Sequence, residues 1–446
     1  MRFFRPLPLV SAMALAFCGV AHGQSLLELY DAARGFDASY QSVQAQFEAT
    51  RLKSSQAQAK LGPTGSLSVN LSKNNINYDP KQGSSNYDRF YGTNAATVTA
   101  SQPLYRPADK AEVAQSSLQM QVVQEQLAAA EQELMVRVSQ AYFDVLAAQE
   151  TVTFLQAKKT AFAEQLAFAK RNFEVGTATI TDTREAKAKF DRVIADEIFA
   201  QNDLLVKKLA LDQVVGKTGT QPKSMAVKAE ASPLSPAQVD EWVSLSAEKN
   251  PTLRQAVISL QVTELETQKA KAGLKPTVDF QLSHSLQNSV NASSSGALAY
   301  GSTTNLTTGA VVLSWPFYTG NALDNRVRET LSLTQKAQAD LDAATRTVAQ
   351  NTRSAFLGVM CGTSLVKALE TAVESSEVVL EATKLGYSVG VRINKDVLDA
   401  QTALFDTKAQ LSKARYDVLM GSLRLRQVSG TLQLQDLQGI NNLLEP

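Results

Sequence analysis

The chain has 446 residues, of which 20% are charged, with 44 Lys and Arg against 43 Asp and Glu and a formal net charge of +1. That length exceeds one simple core and suggests two or three domains. A near-neutral balance gives no reason to expect nucleic acid as a partner.

The N-terminus sets the compartment. Arg2 and Arg5 precede an apolar run over 7–20, and Ala21-His22-Gly23 offers small residues at the spacing a signal peptidase reads. Residues 1–23 are therefore expected to be a signal peptide, with the mature chain starting near Gln24. Removing the two arginines takes the charge from +1 to −1. Cys18 has an alternative reading as a lipid-modified cysteine, against which the bulky Phe17 argues. If Cys18 leaves with the leader, Cys361 is the one remaining thiol and no intrachain disulfide can form. Its neighbours Val359, Met360 and Gly362 read as the surroundings of a small packed residue.

A helix is expected over about 25–60. Leu67, Val69 and Leu71 then alternate with Ser66, Ser68, Asn70 and Ser72, the period of a strand with one apolar and one polar face. A loop rich in Asn, Ser, Gly and Tyr spans about 74–94, and a second strand ends at SQPLY, 101–105. Beyond Tyr105, Val123, Leu127, Leu134, Val138, Val145, Val152, Leu155, Phe162, Leu166 and Phe173 keep a three-four stepping, the seam of a coiled coil. Some 68 residues of helix would run on the order of 100 Å, a rod that must pack along other rods. At Val175-Gly176 the rod turns, and a return helix runs to Gly216. Glycine suits such a turn because it takes positive φ without steric cost.

The chain then repeats itself. An offset of 214 positions aligns 141–216 with 355–430 without a gap, through pairs such as Val175/Val389, Gly176/Gly390, Asp182/Asp396 and Gly216/Gly430. An offset of 213 aligns SQPLY with SWPFY at 314–318. The expected organisation is a first repeat over 24–217, a linker over 218–235, a second repeat over 236–430 and a tail over 431–446. The second repeat should open with a helix over 236–273, with Ser235 and Pro236 as N-cap and first residue. Val278, Phe280 and Leu282 mark its first strand, a loop is expected over about 287–307, and its second strand, around Val311, Val312 and Leu313, alternates less cleanly.

Nothing after the leader reaches 18 uninterrupted apolar residues, which excludes a helical membrane span of that kind but not a sheet. A sheet in lipid must close, and four strands cannot, since the smallest membrane barrels use eight. Either the strands form a small soluble sheet or several chains pool them: a dimer gives eight, a trimer twelve and room for a lumen. Tyr105, Trp315, Phe317 and Tyr318 at the strand ends would suit an interfacial girdle.

The tandem duplication, the Pro-x-Tyr strand exits and the stretch YSVGVRINKDVLDA at 387–400 together resemble the TolC family of outer-membrane efflux proteins, over essentially the whole mature chain. The fold class this implies is α+β: long α-helical coiled coils, four antiparallel transmembrane strands per chain, and a homotrimer whose twelve-stranded barrel in outer-membrane lipid continues as a periplasmic helical barrel. The resemblance further implies an exit duct in the cell outer membrane, working with a periplasmic adaptor (membrane fusion) protein and an inner-membrane transporter. The cargo would be small toxic compounds or, in type I secretion, a protein.

Asp396 and Asp399 lie three apart at the start of a return helix, hence on one face. In one chain they read as helix-capping acids; as three copies around an axis they would form two carboxylate rings attracting cations. The first tip offers Asp182 but Glu185 in place of Asp399. By resemblance, a closed gate is locked by Tyr387 bonding Asp182 within a chain and by Arg392 reaching Thr181 or Asp182 of a neighbour, with Gly176 and Gly390 as tip turns.

Enzyme chemistry lacks parts, and no cofactor is expected. One histidine, His284, remains after the leader, so no histidine-based triad or metal cluster assembles. Gly216-Lys217-Thr218 matches the end of a phosphate-binding loop, but Leu211 holds the place of its first glycine. The alternative from another class is a secreted coiled-coil scaffold or adhesin without a pore.

Overall fold

The computed structural model describes residues 23–79, 81, 87–225, 234–295 and 298–444. Residues 1–22 of the expected leader, Cys18 among them, and the middle of the expected linker, 226–233, lie outside them. The order of elements is α1 (Leu26–Phe36), α2 (Ala38–Ala59), β1 (Thr64–Tyr78), β2 (Tyr87–Tyr105), α3 (Pro107–Glu174), α4 (Ile180–Val215), α5 (Val239–Lys249), α6 (Pro251–Ala272), β3 (Thr277–Ser295), β4 (Leu298–Ser314), α7 (Ala322–Ser388), α8 (Asn394–Val428) and α9 (Leu434–Asn441). Each repeat thus carries two short helices, two strands, a long helix and a return helix.

Each opening helix expected from the sequence is two helices. Asp37, extended at φ −60° and ψ 114°, ends α1, and its Oδ1 accepts the Tyr40 N–H at 2.8 Å to start α2. Asn250 ends α5 in the same way, because Pro251 biases the preceding residue away from helical backbone and brings no N–H to the ladder. The second repeat's helix also starts later than expected. Ser235 and Pro236 precede it, α5 begins at Val239, and the Pro236 carbonyl accepts the Trp242 indole N–H at 2.8 Å.

The residues divide into two compact units. One comprises 43–127 and 251–345 and holds the sheet. Its four strands run antiparallel in the order β1-β2-β3-β4, leaving β1 and β4 as edges. The register sets Leu67 opposite Val98, Val98 opposite His284 and His284 opposite Thr307. Because side chains alternate, one face carries Leu67, Val69, Leu71, Val98, Phe280, Leu282, Leu286, Val311 and Leu313, all exposed. The other carries Ser66, Ser68, Asn70, Thr97, Thr99, Gln281, Ser283, Ser285 and Thr308. An exposed apolar sheet face of this extent marks a contact with lipid or protein. The strands run well into the stretches expected as loops at 74–94 and 287–307. Asn and Thr give no periodic apolar signal there, yet their backbones pair regularly, as in Asn75 with Phe90 and Asn288 with Thr303.

Arg106, just past β2, forks onto Asp279 of β3 at 2.9 and 2.8 Å and so pins the exit of the first repeat's strands to the start of the second's. The Asp279 carboxylate raises the Arg106 pKa further. Trp315 at the other exit donates to the Leu274 carbonyl at 3.2 Å. Phe317 and Tyr318 follow β4 and are exposed, as a girdle requires.

The second unit comprises 23–42, 128–225, 234–250 and 346–444 among the described residues. Its core is helix on helix. Leu26, Leu29, Tyr30 and Ala33 of α1 are buried, as are Leu134, Val138, Tyr142, Phe143 and Val145 of α3. Trp242, Phe356, Val359, Val418 and Leu425 form a further cluster. The return helices end alike: Gly216 and Gly430 both sit at φ 73°. A Cβ on Gly430 would lie 2.2 Å from the Lys249 carbonyl oxygen, and one on Gly216 equally close to the Phe36 ring. In both repeats, then, the return helix closes onto the end of its own repeat's first helix, an approach that only glycine permits.

The long helices differ in cover. The stepping residues Leu134, Val138, Val145, Val152 and Phe162 of α3 are buried; on α7 Val348, Phe356, Val359 and Leu380 are buried too, but Leu357, Met360, Leu365, Val378 and Val379 are exposed. α7 contains an 18-residue window long and apolar enough, by composition, to cross a membrane, and most of that window is exposed. Cys361 lies on this helix and is exposed, not packed as its small neighbours suggested, because among the described residues no other helix covers that face.

Candidate functional site

Both helix tips belong to the second unit. In the first, Gly176 at φ 78° turns the chain, its N–H bonding the Phe173 carbonyl at 3.1 Å while the Thr177 and Ala178 N–H groups both reach the Asn172 carbonyl. In the second, Gly390 at φ 80° bonds the Tyr387 carbonyl at 3.1 Å, and Val391 and Arg392 both reach the Gly386 carbonyl. The backbones are copies of one turn. Such paired bonds satisfy carbonyls that a helix end would leave free.

The side chains are not copies. Thr179 caps α4: its Oγ1 accepts the Asp182 N–H at 3.2 Å, and Asp182 Oδ2 accepts the Thr179 N–H at 2.9 Å, a reciprocal box. At the matching place in the second tip stands Ile393, with no oxygen to offer. Half the box survives, the Ile393 N–H donating to Asp396 Oδ2 at 3.4 Å. Arg392 Nη1 stands 3.7 Å from the same carboxylate oxygen. The Arg392 stem crosses Gly386, where an added Cβ would come within 2.9 Å of Arg392 Cγ.

Asp399 sits one turn further along α8, between two lysines. Lys189 Nζ of α4 donates to Oδ1 at 3.0 Å, and Lys395 Nζ donates to Oδ2 at 2.5 Å. The Lys395 ammonium, and Lys189 after it, hold the Asp399 carboxyl below its ordinary value. Lys395 in turn is raised, by Asp399 first and with smaller contributions from Glu185 and Asp396.

The two tips are tied together. Asn394, buried, donates to the Asp182 carbonyl at 3.4 Å and accepts from Gln165. Leu398 joins Phe162, Ala169, Ala186 and Val193 in an apolar cluster. The Tyr387 ring meets Phe168 edge-on at 5.6 Å, and its hydroxyl accepts from Asn172 Nδ2 at 3.4 Å. This Asn172 contact stands where the resemblance implied a bond from Tyr387 to Asp182, because the Asp182 carboxylate is turned back onto the N-terminus of its own helix. Thr181 and Arg392 are exposed. Sequence reasoning passed over Lys189, Lys395, Asn172 and Asn394. Lys395 alone carried a local signal, standing four residues before Asp399 on one helix face.

An open amphipathic sheet and paired helix tips are features that comparison can place. The pattern of the family described as outer membrane efflux protein matches residues 29–217 and 242–431. The chain belongs to that family. It is 31% identical over 436 residues to the outer membrane protein TolC of Vibrio cholerae, covering 98% of this chain and 97% of that one. It is 28% identical over 427 residues to the alkaline protease secretion protein AprF of Pseudomonas aeruginosa, covering 94% and 87%. Among solved structures, CusC superposes with a TM-score of 0.79 at 15% identity over 92% of both chains, a likeness of fold. The family pattern thus matches twice, once in each half of the chain. The protein is an outer-membrane efflux channel of the TolC family, located in the outer membrane of a Gram-negative bacterium and not an enzyme. That membership decides against the pore-less scaffold.

Proposed function

We propose that three copies of this chain, each processed near Gly23 and built of repeats 24–217 and 236–430, close a twelve-stranded barrel and form the exit duct of a tripartite assembly. The observation that carries this reading is the four-stranded sheet with one apolar and one polar face and with β1 and β4 as edges. Edges left in lipid cost several kcal/mol per unpaired group, and pairing β4 of one copy with β1 of the next removes them. Apolar residues then face the membrane, and Ser, Thr, Asn and Gln line the lumen. The exposed apolar residues of α7 find their cover in neighbouring copies in the same way.

The helix tips act as the gate. Arg392 reaches Thr181 or Asp182 of the adjacent copy, Tyr387 holds its own arm through Asn172, and Asp396 and Asp399 stand at the constriction. Exposed bonds of this kind are worth about 0.5–1.5 kcal/mol each, so docking of a periplasmic adaptor with its inner-membrane transporter can release them. The likeness to AprF, a protease secretion protein by name, favours a type I secretion partner, and the likeness to TolC is equally compatible with drug efflux.

The test is reconstitution of the purified protein in planar bilayers, with its mass measured in detergent. Three copies per particle and discrete conductance steps are expected. A monomer that stays soluble without detergent and passes no current overturns the reading. Deleting the gene and following both drug sensitivity and secreted proteins separates the two cargo classes.

A further inference from the structure

The two acids at the second tip are not in equivalent states. Asp396 Oδ2 stands 3.7 Å from Arg392 and accepts the Ile393 N–H, and its charge acts on Lys395 more weakly than that of Asp399 does. Asp399 spends one oxygen on Lys189 at 3.0 Å and the other on Lys395 at 2.5 Å. A carboxylate with an ammonium on each oxygen is more than neutralised, the three groups summing to +1, and Glu185, whose charge also acts on Lys395, brings the cluster to zero. The first tip has no such arrangement at the matching place, where Glu185 stands and Thr181 replaces Lys395.

We infer that Lys395 and Lys189 are specificity-setting residues that neutralise Asp399, so that Asp396 supplies the cation-attracting ring of the gate and Asp399 serves as a tether between α8 and α4. This rests on the proposed channel and deepens it. Two bare rings of three carboxylates would bind a small multivalent cation across the axis. One such ring, with three lysine pairs beside it, binds that cation weakly and leaves the entrance tolerant of anionic cargo. Charge at a constriction acts over a few ångströms of poorly screened space, so a lysine bonded to the carboxylate cancels it where bulk ions do not. The groups facing Asp399 are Lys189 on α4 and Lys395 on its own helix, with Glu185 and Asp396 nearby through Lys395.

The experiment measures block of single channels by hexaamminecobalt(III), together with the cation-to-anion permeability ratio in a KCl gradient. It compares wild type with Lys395→Gln, Lys189→Gln/Lys395→Gln, Asp396→Asn and Asp399→Asn. The double lysine variant is expected to lower the half-blocking concentration about tenfold, and the single one by a smaller factor. Asp396→Asn should weaken the block of the wild type, and Asp399→Asn should shift permeability towards anions by freeing two lysines. The arginine versions of both lysines keep the charge and should behave as wild type, which separates charge from folding. Unchanged block in the double variant while Asp396→Asn alters it overturns the clamp and leaves the channel standing. A wild type that passes no current overturns the channel, and the clamp with it.

Discussion

The two helix tips have one backbone and two chemistries. Gly176 and Gly390 sit at φ 78° and 80° with the same set of turn bonds, so the turn requires a glycine and little else. The residues after each turn have diverged. The first tip satisfies itself through the Thr179–Asp182 box. The second has traded that cap for Ile393 and gathers Arg392, Lys395, Asp396 and Asp399 within eight residues. A duplicated element whose geometry is held by one residue type leaves the remaining positions free to specialise, and here the first copy kept its side-chain cap while the second lost it and set Asp399 between two lysines.

The largest effect should come from breaking the specialised tip alone. Tyr387→Phe with Arg392→Ser is expected to raise single-channel conductance about severalfold, since two bonds of about 0.5–1.5 kcal/mol are lost in each copy. Ala178→Ser, at the first tip's counterpart of Arg392, should leave conductance unchanged. Equal conductance in all three proteins would show that the tips do not divide the work. The shared part of the comparison is tested next. Gly176→Ala and Gly390→Ala should each destabilise their tip by about 1–2 kcal/mol, the cost of a left-handed residue with a Cβ. Hydrogen exchange of the amides in 172–182 and 386–396 reads this, and markedly unequal losses would mean that the turns are not copies in energy.

Much of the fold was legible because the duplication printed it twice: the long helices, the turns at Val-Gly and the strand exits at Pro-x-Tyr each had a second witness. The parts that stayed hidden had physical reasons. The outer halves of the strands are built by ladder hydrogen bonds among Asn, Thr and Ser, whose side chains carry no apolar period, so they read as loops. The break at Asp37 is a single extended residue inside an otherwise helical pattern, whereas the one at Asn250 had its signal in Pro251. At the site, Asp396, Asp399 and the glycines could be found by motif, but the Lys189–Asp399 pair joins residues 210 apart in sequence, and no local pattern announces it. The Tyr387–Asn172 contact was not legible either, since its partners lie 215 residues apart, and in one chain the Asp182 carboxylate caps its own helix.

A smaller and opposite pair of changes sharpens the comparison of caps. Thr179→Ala should cost the first tip about 1 kcal/mol, and Ile393→Thr should give the second about 0.5–1 kcal/mol by completing its box with Asp396. The same exchange measurement, or the midpoint of tip proteolysis, checks both signs. A loss on Ile393→Thr would show that Ile393 contributes more by apolar contact than a cap would.

The smallest expected effect is that of mild acid. The Asp399 carboxyl is held below its ordinary value by Lys395 first and Lys189 second. For a depressed carboxyl the ion pairs are fully present above the ordinary value, near about 4, and are lost as pH falls through the lower, folded one. Permeability governed by this clamp should therefore stay level from pH 7 to about 5 and change only in stronger acid. In Lys189→Gln/Lys395→Gln both ammonium groups are gone and three unpaired carboxylates face one another, so the titration should move upward and the cation preference should fall as the bath is acidified. Permeability ratios measured across that range read the difference directly. A wild type that titrates together with the double variant would mean that the lysines leave Asp399 in open water, and the second tip would then be as bare of counter-charge as a pair of open carboxylate rings requires.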